Sequence, residues 1–84
     1  MNKERKEELY EVVECLEDAS AALQEVRDEE QDAYDDLSDG LQCSRTGDSM
    51  QRAIDEMDAI DTDIQNVITR VNHLIKPPKK QKTK

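Results

Sequence analysis

The sequence predicts an all-α protein: an antiparallel two-helix coiled-coil hairpin that dimerises into a four-helix bundle. Apolar residues recur at alternating steps of three and four along two long stretches, and no glycine or proline interrupts either stretch. A short run of turn-forming residues separates the two stretches. The chain has 84 residues, of which 39% are charged and 2% aromatic, so a deep globular core is not expected.

The first predicted helix covers about residues 3–38. Asn2 is a favourable N-cap for a helix with Glu4 in its first turn, and polar Glu30 is the one interruption of the apolar repeat. The repeat consists of Leu9, Val12, Leu16, Ala19, Leu23, Val26, Ala33 and Leu37. A helix of this size is a rod on the order of 45 Å long.

A turn follows, and the second predicted helix covers about residues 46–75. Ser38, Asp39 and Gly40 are turn formers, and Leu41 is expected to close the end of the bundle. The apolar repeat of the second helix consists of Met50, Ala53, Met57, Ile60, Ile64, Val67, Val71 and Leu74, with Ile54, Ile68 and Ile75 beside it. Prolines 77 and 78 end the helix because proline lacks the amide hydrogen that a helix interior needs.

Matched lengths and a short connection predict an antiparallel hairpin over residues 1–75. The second helix carries more apolar width than a two-helix contact requires, which predicts a homodimer. The predicted oligomer interface consists of Ile54, Met57, Ile64, Ile68, Val71 and Ile75.

Charge is distributed unevenly along the chain. Residues 7–63 have a net charge of −17, and the remaining segments have a net charge of +8. Residues 76–84, with five lysines and two prolines, are predicted to form a disordered basic tail. Such an acidic body is repelled by nucleic acid and by anionic membranes, so the predicted partner is a protein with a basic surface, such as a nucleic-acid-binding protein.

An acidic row runs along the predicted first helix at the same spacing as the apolar repeat. It consists of Glu7, Glu11, Glu14, Asp18, Glu25, Asp28, Asp32 and Asp35. Like charges three or four residues apart destabilise a helix, so the row is not there to stabilise it. A solvated helix face and a partner-binding face both remain open. The predicted partner-binding residues are Glu25, Asp28, Glu29, Asp32, Asp35 and Asp36.

No constellation of residues predicts catalysis, a metal site or a cofactor. Asp35, Asp39 and Gly40 match three positions of a calcium-binding EF-hand loop, but Leu37 and Thr46 stand where ligands are required. His73 has no metal-ligand neighbour. The two cysteines, at positions 15 and 43, are predicted to be reduced thiols too far apart to pair within one hairpin. The chain is therefore predicted not to be an enzyme, and a metal-binding sensor is the third and weakest class.

The middle of the chain resembles a group of short, uncharacterised acidic proteins encoded in gut bacteria and their phages. In that group a DEEQ segment leads into a turn, then Leu-Gln, Ser, Arg-Gly and a second helix. Leu41, Gln42, Ser44 and Gly47 fit this pattern, whereas Asp36-Leu37-Ser38 stands where the group has Asn-Leu-Pro. The resemblance covers about a third of the chain, DEEQDAYDDLSDGLQCSRTGDSMQRAI. It implies a bacterial or phage source and a helical hairpin, and it carries no function.

A looser similarity, in size, charge and helical content only, is to phage inhibitors of host defence that imitate DNA, including anti-restriction and anti-CRISPR proteins. The predicted function is accordingly that of a small acidic protein-binding module that blocks a nucleic-acid-binding or host-defence protein. The alternative is an assembly module that acts through its apolar residues. The start of the chain predicts no signal peptide or membrane span, so the expected location is the cytosol of a bacterium or of a phage-infected host.

Overall fold

The computed structural model describes residues 1–77, and that part of the chain consists of three helices without a strand. They are α1 (Lys3–Asp35), α2 (Asp39–Gln42) and α3 (Arg45–Ile75). The two long helices pack along each other in an elongated molecule of 60 × 29 × 14 Å. The predicted all-helical fold class is confirmed. Most of the predicted basic tail, residues 78–84, lies outside the described residues.

Helix α1 begins at the predicted cap and ends three residues before the predicted position. The Asn2 side chain accepts a hydrogen bond from the Arg5 backbone N–H at 2.8 Å. At the other end the last turn contains no basic residue, and its acids face the negative end of the helix dipole. Ser38 then caps α2 by accepting from the Leu41 backbone N–H. Ser38 adopts an extended backbone conformation as the cap of α2, which is incompatible with continuation of α1, so the chain turns here.

The corner between α2 and α3 is closed by Gly47 and Gln42. A Cβ atom on Gly47 would lie 2.1 Å from the Gln42 carbonyl oxygen, so only glycine allows this approach. The Gln42 amide donates to the Tyr34 carbonyl oxygen of α1 at 3.0 Å, and Ser44 caps α3. Leu41, which we expected to close the bundle, is half exposed instead.

Contacts between α1 and α3 run in opposite directions along the two helices. Ser20 bonds Asp61, and Arg27 bonds Asp58, so residue numbers rise along α1 as they fall along α3. The apolar core lies towards the end of the molecule where the chain begins. Its members are Val13, Ile68 and Ile75, with Leu9, Leu16, Ile64 and Val71 packed against them.

The seam, defined as the row of buried and half-buried residues between α1 and α3, differs from the predicted repeat at every second position. On α1 it consists of Leu9, Val13, Leu16, Ser20, Leu23, Arg27, Glu30 and Tyr34, and Leu37 continues it just after the helix. On α3 it consists of Met50, Ile54, Met57, Asp61, Ile64, Ile68, Val71 and Ile75. The predicted seam positions Val12, Ala19, Val26 and Ala33 of α1 are exposed, as are Ile60, Val67 and Leu74 of α3.

Polar residues explain this choice of seam. Asp61 in the seam accepts hydrogen bonds from Ser20 and Gln24, whereas the predicted repeat would have set Ala19 and Val26 there. A carboxylate left without partners between helices is costly, so the arrangement that supplies them is favoured. The burial of two isoleucines is a consequence of this seam, because it places Ile54 between the helices, at 1% exposed, and leaves Ile60 on the surface, at 39% exposed.

Candidate protein-binding surfaces

The acidic face, defined as Glu25, Asp28, Glu29, Asp32, Asp35 and Asp36, lies on the outer side of α1 near its carboxyl end. All six side chains are exposed. Neighbouring acids along the row are three or four residues apart, which sets like charges on adjacent turns. Asp35 also accepts a hydrogen bond from the Gln31 amide at 3.0 Å.

Arg27 is the one base in this part of α1, and its guanidinium is directed mainly across the seam. Its Nε donates to Asp58 Oδ1 at 2.9 Å and its Nη2 to Asp58 Oδ2 at 3.3 Å. The third contact, from Nη1 to Asp28 Oδ1, is longer at 3.4 Å. The hydrogen bond to Asp58 is the main cause of the raised pKa of Arg27. The base is therefore held by α3, and most of the acidic face is left without a countercharge from Arg27.

A polar layer, formed by Ser20, Gln24, Asp61 and Gln65, crosses the seam near the middle of the molecule. The Ser20 hydroxyl donates to Asp61 Oδ1, the Gln24 amide donates to Asp61 Oδ2 at 3.0 Å, and the Gln65 amide donates to Ser20 Oγ at 3.0 Å. Bonds from Ser20 and then Gln24 hold the pKa of Asp61 below its ordinary value. The polar layer fixes how the two helices are aligned, because a shift of either helix would separate Asp61 from its donors.

A second surface, the apolar face, consists of the residues that the seam leaves outside on one side of the helix pair. On α1 these are Val12, Ala19, Val26 and Ala33, and on α3 they are Ala53, Ile60, Val67 and Leu74. All are exposed except half-buried Ala53. Val26 is 53% exposed and Leu74 is 54% exposed, so large apolar side chains are presented to solvent on this side.

The six residues of the predicted oligomer interface lie in the seam of the single chain. Ile54, Ile68 and Ile75 are buried, and Met57, Ile64 and Val71 are half-buried. Within one chain their apolar area is largely covered by α1. The exposed apolar area lies one position earlier along α3, at Ile60, Val67 and Leu74.

Residues 1–77 contain two thiols apart from these surfaces. Cys15 and Cys43 are free and exposed. Among the described residues, no three His, Cys, Asp or Glu side chains are grouped so that they could hold a metal ion. Neither long helix of this part of the chain combines the length and apolar character that a membrane span requires.

No protein-family model, curated protein or solved structure matches the chain.

The sequence pointed to the acidic face but missed both the polar layer and the apolar face. A usable signal was present in the spacing: the repeats that include Ser20 and Asp61 satisfy the same steps of three and four as the purely apolar repeats. The more apolar repeat on each helix leaves out Ser20 and Asp61, which serve as hydrogen-bond partners for each other.

Proposed function

We propose that this protein is a small binding module whose acidic face occupies a basic surface on a larger protein. The proposal rests on the exposure of all six acids of the acidic face, five of them on successive turns of α1 and Asp36 at its C-cap. This arrangement costs helix stability, roughly 0.2–0.5 kcal/mol per like-charge pair, so selection for the helix alone does not account for it. A basic partner would turn the repulsion into attraction.

The dimensions support a nucleic-acid-binding partner. Acids three or four residues apart are about 5 Å apart along a helix, a repeat comparable to the phosphate spacing of about 3.4 Å along one DNA strand. The two shorter extents of the molecule, 29 and 14 Å, bracket the width of a duplex, about 20 Å. We propose that the module imitates DNA and blocks a nucleic-acid-binding or host-defence protein in a bacterial or phage-infected cytosol, as the resemblances implied.

The test compares two triple reversals with the same change in charge. Asp28→Lys, Asp32→Lys and Asp35→Lys alter the acidic face, whereas Glu7→Lys, Glu11→Lys and Glu14→Lys alter exposed acids at the other end of α1. Each variant and the original protein would be used to capture proteins from a bacterial lysate at low salt, and a captured protein would then be purified and titrated with duplex DNA. We expect the first reversal to abolish capture, the second to retain it, and DNA to displace the module from its partner.

Salt provides a further check, because exposed charges are screened within about 10 Å at 0.1 M. Capture should weaken steeply as salt rises. Equal capture by both triple variants would show that net charge or another surface is responsible, and binding insensitive to salt would contradict an electrostatic face.

We also propose the finer architecture that the sequence predicts, an antiparallel coiled-coil hairpin that dimerises into a four-helix bundle. The opposed direction of the α1–α3 contacts and the seven-residue repeat of the seam support the hairpin.

The apolar face supports a second candidate function, an assembly module. Light scattering at micromolar concentration should give about twice the 9.7 kDa chain mass.

A further inference from the structure

The eight members of the apolar face carry no charge. Its members recur every seventh residue on both helices, from Val12 to Ala33 on α1 and from Ala53 to Leu74 on α3. In a chain with 39% charged residues, eight such positions without a charge need an explanation. A seven-residue spacing keeps each row on one side of a pair of helices that twist around each other.

The two rows lie on the same side of the molecule. Val12 and Leu74 line one groove together with Met1 and Leu9, and the charged Arg5 and Glu8 border this groove at the end of the molecule. The polar contacts of Gln24 and Asp58 across the seam belong to the opposite edge. The helix pair is therefore apolar along one edge of its seam and polar along the other.

We infer that the apolar face binds a second copy of this chain, face to face and antiparallel, so that α1 lies on α1 and α3 on α3. The inference rests on the proposed dimer and is independent of the acidic face. A two-fold axis perpendicular to the long axis gives such a contact, in which each copy presents the same surface.

The positions of large and small residues fit this symmetry. The axis passes midway between Val12 and Ala33 on α1 and midway between Ala53 and Leu74 on α3. These midpoints lie at the same height along the molecule, because Val12 and Leu74 share one groove. Val12 then meets Ala33 of the second copy, and Leu74 meets Ala53 of the second copy.

The inner positions follow the same rule. Val26 meets Ala19 of the second copy, and Ile60 meets Val67 of the second copy. In three of the four kinds of pair a larger side chain thus faces an alanine, which allows the two surfaces to interlock without a gap or a clash.

Charge selects the antiparallel orientation over the parallel one. Lys3, Arg5 and Lys6 stand at one end of the molecule, and acids such as Asp36 and Asp39 stand at the other. Antiparallel copies bring the basic end of each beside the acidic end of the other, whereas parallel copies bring like ends together.

The size of the contact is sufficient for a stable dimer. Each row spans about 32 Å at about 1.5 Å per residue, and two packed helices present a width of about 20 Å. The footprint is then roughly 600 Å² on each copy, or about 1,300 Å² in total, within the range of specific protein interfaces.

The first experiment compares neighbouring substitutions by light scattering. Val67→Glu places a charge in the apolar face at a side chain that is already 41% exposed in the single chain, and Asn66→Glu places the same charge on the exposed outer side of α3. We expect the original protein and Asn66→Glu at about twice the chain mass, and Val67→Glu at the mass of one chain with unchanged helicity by circular dichroism. A monomeric original protein overturns both the dimer and this inference, whereas a dimer that survives Val67→Glu overturns only the surface assigned here.

The second experiment tests the antiparallel register by cross-linking, with Cys15 and Cys43 replaced by serine. Ala22 is next to the proposed axis and faces the same side as Ala19, whereas Ala21 is at the same height on the outer side of α1. Under mild oxidation, Ala22→Cys should form a covalent dimer, because a disulfide needs Cα atoms within about 7 Å, and Ala21→Cys should not. Cross-linking through Ala21→Cys, or through neither, overturns the register.

Discussion

Gly47 and Gly40 stand seven residues apart, and the structure gives them opposite roles. Gly47→Ala should destabilise the fold by about 1–3 kcal/mol or more, because its Cβ would meet the Gln42 carbonyl oxygen at 2.1 Å. A Cβ on Gly40 would meet no atom within 4 Å, and this residue lies in helix α2. Gly40→Ala should therefore stabilise the fold by about 0.4–1 kcal/mol.

Urea unfolding followed by circular dichroism measures both changes. The pair is a matched control, since each variant adds one methyl group. Equal effects of the two substitutions would contradict the close approach at the corner between α2 and α3.

Asp61 makes the stability of the helix pair depend on pH. Its pKa in the folded chain is lowered, chiefly by the hydrogen bond from Ser20, relative to about 3.9 for an unfolded aspartate. Stabilisation by such a group is complete above the unfolded pKa and is lost as pH falls through the folded pKa. Asp61→Asn should therefore be less stable than the original protein at pH 7, and this difference should shrink below about pH 4.

The comparison must be made between variants because protonation of the many other acids relieves repulsion as pH falls. Asp63→Asn removes one exposed charge from the same helix and serves as the control. Urea unfolding at a series of pH values should show the narrowing difference for Asp61→Asn alone. A difference that stays constant through the acidic range would mean that the polar layer does not depend on the charge of Asp61.

At the scale of the helices, the choice of seam can be tested at two isoleucines. Ile54 is 1% exposed, and Ile60, which we had predicted in the seam, is 39% exposed. Ile54→Ala should cost about 2–5 kcal/mol, whereas Ile60→Ala should cost clearly less because its environment is already partly water. Both would be measured by urea unfolding in the Val67→Glu background, which removes the proposed dimer contact. An equal loss of unfolding free energy in both variants, or a larger loss for Ile60→Ala, would support the seam predicted from the sequence instead.

The positions of the two long helices could be predicted from the sequence, but the faces along which they pack together could not. Capping by Asn2, the turn at Ser38 and proline after Ile75 are local effects, so residues 1–77 show helices close to the predicted positions. The seam depends on a contact between residues 41 positions apart, Ser20 and Asp61, which no local rule reveals.

The acidic face could be predicted because exposure of charge needs no knowledge of the partner helix. The apolar face could not, since it consists of residues that the more apolar repeat would have buried. Val26 and Ile60 are on the surface only because Arg27 and Asp61 take the adjacent seam positions. Polar residues in the seam thus determine which apolar residues remain free to bind another chain.

For the molecule as a whole, the two proposed surfaces cover different sides of α1 and adjoin at Glu29, three residues after Val26. The acidic face is on the outer side of α1, and the apolar face follows one edge of the seam between α1 and α3. Burying the apolar face in a dimer leaves Asp28 and Asp32 exposed in both copies. A dimer would then present two acidic faces, which raises the effective affinity for a partner with two basic sites.

If the folded state is the proposed dimer, thermal stability must depend on protein concentration. Association stabilises the folded chain by mass action, so the midpoint of thermal unfolding should rise as concentration is raised from about 1 to about 100 μM. Val67→Glu, which places a charge in the apolar face, should unfold at a lower temperature that is independent of concentration. Asn66→Glu should behave as the original protein does, because its side chain lies outside the contact. Circular dichroism melts at several concentrations provide the measurement. A midpoint that does not move with concentration in the original protein would show that the helix pair folds alone, and the exposed Val26 and Leu74 would then have no role in its stability.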